Sequence, residues 1–276
     1  MSNDFTYQSN EFERQAQRFV IPLYIQDELG GYQFSSTATL ARYNGCHYIL
    51  MAAHALDGGA SLEQFYFFKT DGQFFQLTEI ASSYAVYKDD DLIVIDCFNI
   101  VLDGKNYFNL NEDKLIGFEK NYFSWTGFPS SMCKTKKVHS SKSSEGLKQQ
   151  YVTEEDGQIY FKSAKYFTID SKFKGRNALN ITGVYDRKNA ELKYKGTLAT
   201  GPSPEGMSGG AMYQFAKNKK LKNSLDDSFR FIGIGIEYKK DNQIIGISKP
   251  RVISLIKQLE DKNPKNLEIH IFEPET

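Results

Sequence analysis

The sequence predicts an all-β protein of barrel type with one helix close to its C-terminus. Two observations predict this fold class. Short strand-like runs follow one another along most of the chain, with turn residues between them. Only the segment 250–259 (PRVISLIKQL) has apolar residues at helical spacing, and Pro250 stands at its start, where proline suits the first turn. The sequence has no repeat of fixed period and no linker that divides it.

The strands are predicted from alternating or apolar runs that end at turn residues. Asn44-Gly45 predicts a tight hairpin turn, and Pro22 marks the first strand as an edge strand or a bulged one. The predicted strands cover 19–25, 33–43, 46–53, 65–69, 73–77, 84–87, 92–98, 121–128, 158–161, 166–169, 190–195, 211–215, 229–238 and 243–248.

Three other segments predict irregular structure. The segments 134–150 and 217–227 are polar and lysine-rich, which is typical of solvated surface loops. The segment 201–210 (GPSPEGMSGG) contains too much glycine and proline for a helix or a strand.

The charge balance excludes several classes of partner. The 276 residues include 34 Lys+Arg and 34 Asp+Glu, so the formal net charge is zero. We therefore expect neither nucleic acid nor a membrane surface as a partner. The N-terminus lacks the basic start and apolar run of a secretion signal, and no apolar run is long enough to cross a bilayer. A cytoplasmic location is the expectation that follows.

The three cysteines predict neither a disulfide framework nor a zinc site. Cys46, Cys97 and Cys133 are an odd number of thiols and have no CxxC spacing. We expect buried or half-buried free thiols, and no metal or cofactor.

Three short segments together carry the residue types of nucleophilic catalysis. His54 ends an apolar strand (ILMAAH), Asp91 precedes another (DLIVID), and Ser208 lies in a glycine-rich loop (GMSGG). A serine hydroxyl is a weak nucleophile at neutral pH, so a neighbouring base must take its proton. His54 is the candidate base, and Asp91 the candidate group that orients and stabilises the imidazole ring. Asp91 is chosen over its acidic neighbours because it directly precedes the apolar strand; Asp89 and Asp90 are interpreted as a solvated turn, and Asp96 as a buried hydrogen-bonding group.

These motifs resemble those of trypsin-like (chymotrypsin-fold) serine peptidases. The run MAAH resembles the pattern T-A-A-H with Met51 in place of Thr. The run DLIV resembles D-[IL]-[AG]-[LV], with Ile93 where a small residue is usual, and GMSGG matches G-[DNM]-S-G-G. The order His, Asp, Ser is that of the family. The run WTGFP resembles a G-[YF]-P segment of its bacterial branch, and the likeness extends over 19–259.

The resemblance implies a fold and a domain organisation. The implied fold consists of two six-stranded antiparallel β-barrels of the chymotrypsin type with a C-terminal helix. The implied divisions are an N-terminal extension (1–18), a first barrel (19–115), a second barrel with its closing helix (116–262) and a tail (263–276). His54 and Asp91 belong to the first barrel and Ser208 to the second. The gap before Ser208 is longer than usual, which indicates an insertion around 130–195.

The resemblance also implies an activity, that of a serine endopeptidase acting through an acyl-enzyme. The triad is His54, Asp91 and Ser208, and the backbone amides of Gly206 and Ser208 form the oxyanion hole. Each such donor typically contributes about 3–4 kcal/mol to transition-state stabilisation. The alternative is a pseudoprotease, a barrel of the same kind that binds a peptide or partner protein without cleaving it.

The substrate pocket is less defined by the sequence. The resemblance assigns its base to Pro202, six residues before the nucleophile, and one wall to the strand that contains Ile234, Ile236 and Glu237. Glu237 would favour a basic substrate residue if it faced the pocket, and it is otherwise a solvent-facing side chain. The two isoleucines would instead define an apolar pocket, so specificity stays open.

Activation by N-terminal cleavage is not expected. Met207 stands where secreted relatives have the Asp that pairs with a freed N-terminus, and no Ile-Val-Gly-Gly-type site precedes Phe19. We expect control by narrow specificity, by an oligomer or by a regulatory partner. The sequence resembles protease effectors of bacterial defence or stress systems, which cut a companion protein.

Overall fold

A computed structural model describes residues 11–111, 117–133, 144–155, 158–161, 164–192, 197–261 and 268–271. The predicted fold class is confirmed, because two curled antiparallel sheets form most of the structure and a helix follows them near the C-terminus. The helices are α1 (Glu11–Gln17), α2 (Ser144–Tyr151), α3 (Leu225–Ser228) and α4 (Lys249–Glu260).

The strands of the described residues are numbered in chain order. They are β1 (Val20–Gln26), β2 (Tyr32–Tyr43), β3 (Cys46–Ala52), β4 (Phe65–Phe68), β5 (Phe74–Gln76), β6 (Ser83–Tyr87), β7 (Leu92–Asp96), β8 (Phe108–Asn109), β9 (Tyr122–Gly127), β10 (Val152–Glu155), β11 (Gln158–Phe161), β12 (Phe167–Lys172), β13 (Gly175–Arg176), β14 (Asn180–Val184), β15 (Ala190–Leu192), β16 (Thr197–Ala199), β17 (Gly210–Phe215), β18 (Phe229–Tyr238), β19 (Gln243–Ser248) and β20 (Glu268–Ile271).

The two sheets contain nine and seven strands in the described part of the chain. The first has the order β20-β6-β7-β3-β2-β1-β4-β5, with β8 parallel to β2, and the second has the order β12-β9-β17-β18-β19-β14-β13. The sequence predicted six strands for each. The additional strands are short segments at the edges, namely β5, β8 and β20 in the first sheet and β13 in the second.

The six principal strands of each sheet follow the same cyclic order. Numbered one to six along the chain, they are β1, β2, β3, β4, β6 and β7 in the first half and β9, β12, β14, β17, β18 and β19 in the second. Both sets follow the ring 1-2-3-6-5-4. The hydrogen-bonded path is open between the fourth and fifth strands of the first half, and between the second and third of the second. Two half-barrels of one topology are compatible with a chymotrypsin-like fold.

An apolar core joins the two halves. The rings of Phe19 and Phe108 stack with their centroids 3.9 Å apart, and Phe229 of β18 packs edge-on against Phe19. The buried face of α4, with Val252 and Ile256, belongs to the same cluster. The halves therefore share a core in addition to any polar contacts between them.

Several local predictions are confirmed. Each predicted strand range overlaps an observed strand, and α4 has Pro250 in its first turn. The thiols of Cys46, Cys97 and Cys133 are all free, the first half-buried and the other two buried. Among the described residues, none of the helices has the length and apolarity needed to cross a membrane.

Other local predictions need correction. The segment 144–150 was predicted as a loop but lies in α2, because Leu147 is buried and anchors an otherwise polar helix. Residues 134–143 lie outside the described part. The polar segment 217–227 contains a 3-10 turn and the start of α3. The strand β14 (NITGV) was missed, since Asn, Thr and Gly weaken its strand pattern although Ile181 is buried.

Gly235 of β18 has no room for a side chain. A Cβ atom there would lie 2.2 Å from Nε1 of Trp125, whose side chain is fully buried. We predict that Gly235→Ala lowers the free energy of unfolding by about 1–3 kcal/mol, because overpacking forces neighbouring atoms to shift. Urea denaturation measures this change. The control is Gly175→Ala, whose only close neighbour is the rotatable Thr182 hydroxyl. Equal losses in the two variants would contradict the prediction.

Candidate active site

His54 and Asp91 are brought together by the pairing of β3 with β7. The last residue of β3, Ala52, lies opposite Leu92, the first residue of β7. His54 follows in a 3-10 turn, and the Ala53 amide donates to the main-chain oxygen of Asp91 at 3.1 Å. Asp91 has φ of +52°, a left-handed conformation that Asp tolerates better than most residues. The local backbone therefore directs Asp91 toward the histidine.

The carboxylate of Asp91 holds His54 through both oxygens. Its Oδ2 lies 2.6 Å from Nδ1 of the imidazole ring, and its Oδ1 accepts from the His54 backbone amide at 2.7 Å. With the Nδ1 proton directed at Asp91, Nε2 is the ring nitrogen left to accept a proton. Both side chains are partly exposed, so this nitrogen is not sealed in the core.

The pKa of His54 is raised above its usual value. The hydrogen bond to Asp91 is the largest cause, and burial of the ring acts in the opposite direction. The negative charges of Asp91, Asp57 and Glu237 raise this pKa further. His54 thus lies in an acidic environment made by both halves, since Glu237 belongs to β18.

The acidic residues close to Asp91 in the sequence do not bond His54 in the described structure. Asp90 forms a two-point ion pair with Arg251 of α4, with N–O distances of 2.7 and 2.6 Å. Asp96 accepts from the Phe98 amide at 2.8 Å, and Asp89 is exposed. In the described residues it is Asp91 that meets His54.

The loop that carries Ser208 is fixed by its own backbone and by the chain near Ser130. The Met207 amide donates to Pro204 O at 2.8 Å, and the Gly210 amide donates to Met207 O at 2.9 Å. The Ser130 amide donates to Glu205 O at 2.7 Å. An irregular loop held in this way has a defined conformation despite its glycine content.

Strand β2 of the first half holds the remaining carbonyls of this loop. The Thr37 hydroxyl donates to Gly206 O at 2.8 Å, and the Thr37 amide donates to Ser208 O at 3.3 Å. The Thr39 hydroxyl donates to Gly209 O at 2.7 Å. Both threonines are fully buried. Every main-chain oxygen from residue 204 to residue 209 therefore accepts a hydrogen bond.

Two amides of the same loop have no protein acceptor among the described residues, namely those of Gly206 and Ser208. The amides of Met207, Gly209 and Gly210 all donate within the protein. Gly206 has φ of +88°, which an L-residue rarely adopts. Two unpaired N–H groups in a fixed loop beside a serine can bind a developing oxyanion.

The Ser208 hydroxyl donates to the main-chain oxygen of Ile236 in β18 at 2.7 Å. Although this hydroxyl is not bonded to His54, the Ser208 loop lies against the end of β3, the strand that precedes His54. A Cβ atom on Gly209 would be 2.1 Å from Thr37 O and 3.2 Å from the Ala52 amide nitrogen. The structure records no hydrogen bond from Ser208 to His54 in the described residues, so attack requires rotation of the Ser208 side chain.

The predicted pocket residues do not share one environment. Pro202 is half-buried and its main-chain oxygen accepts from the Tyr185 hydroxyl at 3.2 Å. Ile234 is fully buried in the core shared by the halves, and Ile236 is nearly so. Glu237 is largely exposed, with its Oε2 at 3.9 Å from Nζ of Lys239.

Sequence reasoning missed the residues that position the nucleophile loop. Thr37, Thr39 and Ser130 form no motif with Ser208, and their partners are distant in sequence. The alternation of β2 suggests a strand, but does not indicate that two of its hydroxyls face another half-barrel.

No model of a known protein family matches this chain, and no curated protein matches it in a sequence search.

Thr37 supplies a hydroxyl to two backbone groups, one buried and one half-buried, and Thr39 supplies a hydroxyl to one buried group. The Thr37 hydroxyl donates to Gly206 O and accepts from the Phe128 amide at 2.9 Å. We predict that Thr37→Val lowers the free energy of unfolding more than Thr39→Val does. Each buried group left unpaired costs about 1–3 kcal/mol.

Urea denaturation of the two variants tests this order, and Thr37→Ser, which keeps the hydroxyl, is the control for loss of the methyl group. A larger loss in Thr39→Val, or an equal loss in Thr37→Ser and Thr37→Val, would contradict the assignment.

Proposed function

We propose that the protein is a serine endopeptidase of the trypsin-like kind, with Ser208 as nucleophile, His54 as base and Asp91 as the group that orients His54. The observation that carries the proposal is the loop of Ser208, in which every carbonyl is held while the amides of Gly206 and Ser208 have no acceptor among the described residues. The contact between His54 and Asp91 supplies the base.

The proposed reaction begins when the Ser208 hydroxyl turns from Ile236 O to Nε2 of His54. His54 takes the proton as Oγ attacks the carbonyl carbon of the scissile peptide bond, and Asp91 stabilises the imidazolium. The negative oxygen of the tetrahedral intermediate accepts from the Gly206 and Ser208 amides. His54 then protonates the leaving amine, and water hydrolyses the resulting acyl-enzyme with His54 again acting as base.

The end of β18 offers a surface for an extended peptide. β17 pairs with β18 as far as Gly235, whereas β18 continues to Tyr238. Residues 236–238 therefore extend beyond β17 on the side where Ile236 O meets the Ser208 hydroxyl. A substrate strand can add to such an edge through main-chain hydrogen bonds. This supports a polypeptide substrate.

We propose a class of physiological substrate, and not a particular protein. The resemblance to protease effectors of bacterial defence or stress systems makes a companion protein in the cytoplasm the proposed substrate. Glu237 at the open edge of β18 and Asp57 near His54 give the surface around His54 negative charge. This charge suits a basic segment of the substrate protein.

A pseudoprotease is the second candidate, and one observation favours it. The Ser208 hydroxyl donates to Ile236 O, so in this structure it is not directed at His54 as a nucleophile about to react would be. A protein that binds peptides without cleavage would keep this hydrogen bond in its bound state.

Covalent labelling distinguishes the two candidates. We predict that a fluorophosphonate probe labels the wild-type protein and that Ser208→Ala abolishes labelling, because the probe requires an activated hydroxyl and oxyanion donors. Labelling is read by intact-protein mass spectrometry. Ser203→Ala is the matched control, since Ser203 lies outside the proposed triad and should label as the wild type does. Absence of a Ser208-dependent adduct, alone or with peptide and candidate companion proteins present, would favour the pseudoprotease.

The pH dependence of labelling follows from the raised pKa of His54. His54 must be neutral to accept a proton, so the labelling rate rises with pH and reaches half its maximum at a pH above the usual histidine pKa of about 6.5.

The pKa of His54 measured by NMR should fall most in Asp91→Asn and less in Asp57→Asn, because Asp91 is the largest cause of the raised pKa. His54→Gln identifies the resonance. A larger shift in Asp57→Asn would contradict the assignment of Asp91.

A further inference from the structure

Gly206 is confined between two side chains. A Cβ atom at this position would lie 2.6 Å from Ser130 Oγ and 2.8 Å from Cε1 of Phe34. Phe34 belongs to β2 of the first half, and Ser130 begins a 3-10 turn after β9 in the second. The peptide that carries one proposed oxyanion donor therefore fits in a narrow space between the two halves.

The peptide between Glu205 and Gly206 is held on its carbonyl side by the Ser130 amide at 2.7 Å. The carbonyl and the N–H of one peptide point in opposite directions. The bond to Glu205 O thus fixes the direction of the Gly206 N–H. Rotation of this peptide would break that hydrogen bond and would need room beside Phe34.

Phe34 is itself supported by a helix from the insertion. Leu147 of α2 is buried in one apolar cluster with Tyr24 and Phe68, and Phe34 packs against this cluster. The Tyr24 and Phe34 rings meet edge-on with centroids 6.1 Å apart. Leu147 is the apolar anchor of α2 among its described side chains, since Glu145, Lys148, Gln149 and Gln150 are exposed.

The insertion is tied to the Ser130 side of Gly206 as well. The Cys133 amide donates to Ser130 O at 3.3 Å, and the Lys165 amide donates to Met132 O at 3.4 Å. Cys133 and Lys165, which precede and follow α2 in the chain, are thereby bonded to the turn that holds Glu205 O. Contacts from the inserted region reach Gly206 from two sides.

We propose that Leu147 is a positioning residue for the oxyanion hole: through the apolar cluster that it forms with Tyr24 and Phe68, it keeps Phe34 against Gly206 and so keeps the Gly206 amide directed at the substrate oxygen. This inference rests on the proposed function. It assigns to α2 a role in the reaction rate, although the helix carries none of the reacting groups. A partner that moves α2 would change the activity through the same contacts.

The test compares fluorophosphonate labelling rates of Leu147→Ala and Leu259→Ala. Leu259 is a matched control, since it is also a buried leucine of a helix, near the end of α4. We expect Leu147→Ala to label about tenfold more slowly than the wild type, less than the 10²–10³-fold effect of deleting an oxyanion donor outright. Leu259→Ala should keep the wild-type rate. Leu147→Met, which preserves the apolar volume, should restore labelling.

The pH dependence of the labelling rate distinguishes a misplaced Gly206 amide from a general disturbance of the site that also affects His54. We expect Leu147→Ala to lower the maximum rate without moving the pH of half-maximal rate, because His54 and Asp91 are not disturbed. Phe34→Leu, which leaves α2 in place, should slow labelling in the same way, and the double variant should be no slower than the slower single variant.

Two failures are distinguishable. If the wild type shows no Ser208-dependent labelling, the proposed function fails. If the wild type is labelled but Leu147→Ala and Phe34→Leu keep its rate, or if the pH of half-maximal rate moves with the rate, only the role of Leu147 is overturned.

Discussion

Thr37 joins the two half-barrels at the point where the proposed chemistry takes place. Its amide and hydroxyl hold two carbonyls of the Ser208 loop, and its hydroxyl also accepts from the Phe128 amide. The Thr37 side chain is fully buried, so its hydroxyl bonds protein groups and not bulk water. The Ser208 loop is not part of a β-sheet and takes its shape from these hydrogen bonds. The geometry of the candidate site is therefore a property of the interface between the halves, and neither half contains it alone.

The two halves contribute different parts of the site. The first half supplies the proposed base, His54, whose orientation is set by Asp91, because Asp91 bonds both the amide and the ring of His54. The second half supplies the proposed nucleophile, Ser208, whose loop is fixed while its hydroxyl donates to Ile236 O. The preorganised components of the proposed site are thus the base, His54, and the oxyanion donors, the amides of Gly206 and Ser208. In the proposed reaction, Ser208 reaches His54 by rotation of one side chain, since its hydroxyl donates to Ile236 O in this structure.

The sequence predicted the elements whose pattern is local. The strands alternate or are continuously apolar, the helix α4 repeats apolar residues after Pro250, and the His-Asp-Ser motifs each occupy a few adjacent residues. Contacts between residues distant in sequence were not predictable. The pattern of β2 predicts a strand, but it does not indicate that Thr37 bonds Gly206. On β18 both faces are buried, so periodicity did not distinguish the core residue Ile234 from a pocket wall. The helix α2 was missed because a single leucine, buried by a neighbouring half-barrel, fixes its place.

A crystal structure of the fluorophosphonate-treated protein shows whether Ser208 and the two unpaired amides act together. We expect a phosphorus–oxygen bond to Ser208, with the phosphoryl oxygen about 2.7–3.1 Å from the amide nitrogens of both Gly206 and Ser208. The proposed reaction also requires that Ser208 Oγ no longer donates to Ile236 O. A phosphoryl oxygen directed away from both amides, or a Ser208 hydroxyl that stays unmodified on Ile236, would contradict it.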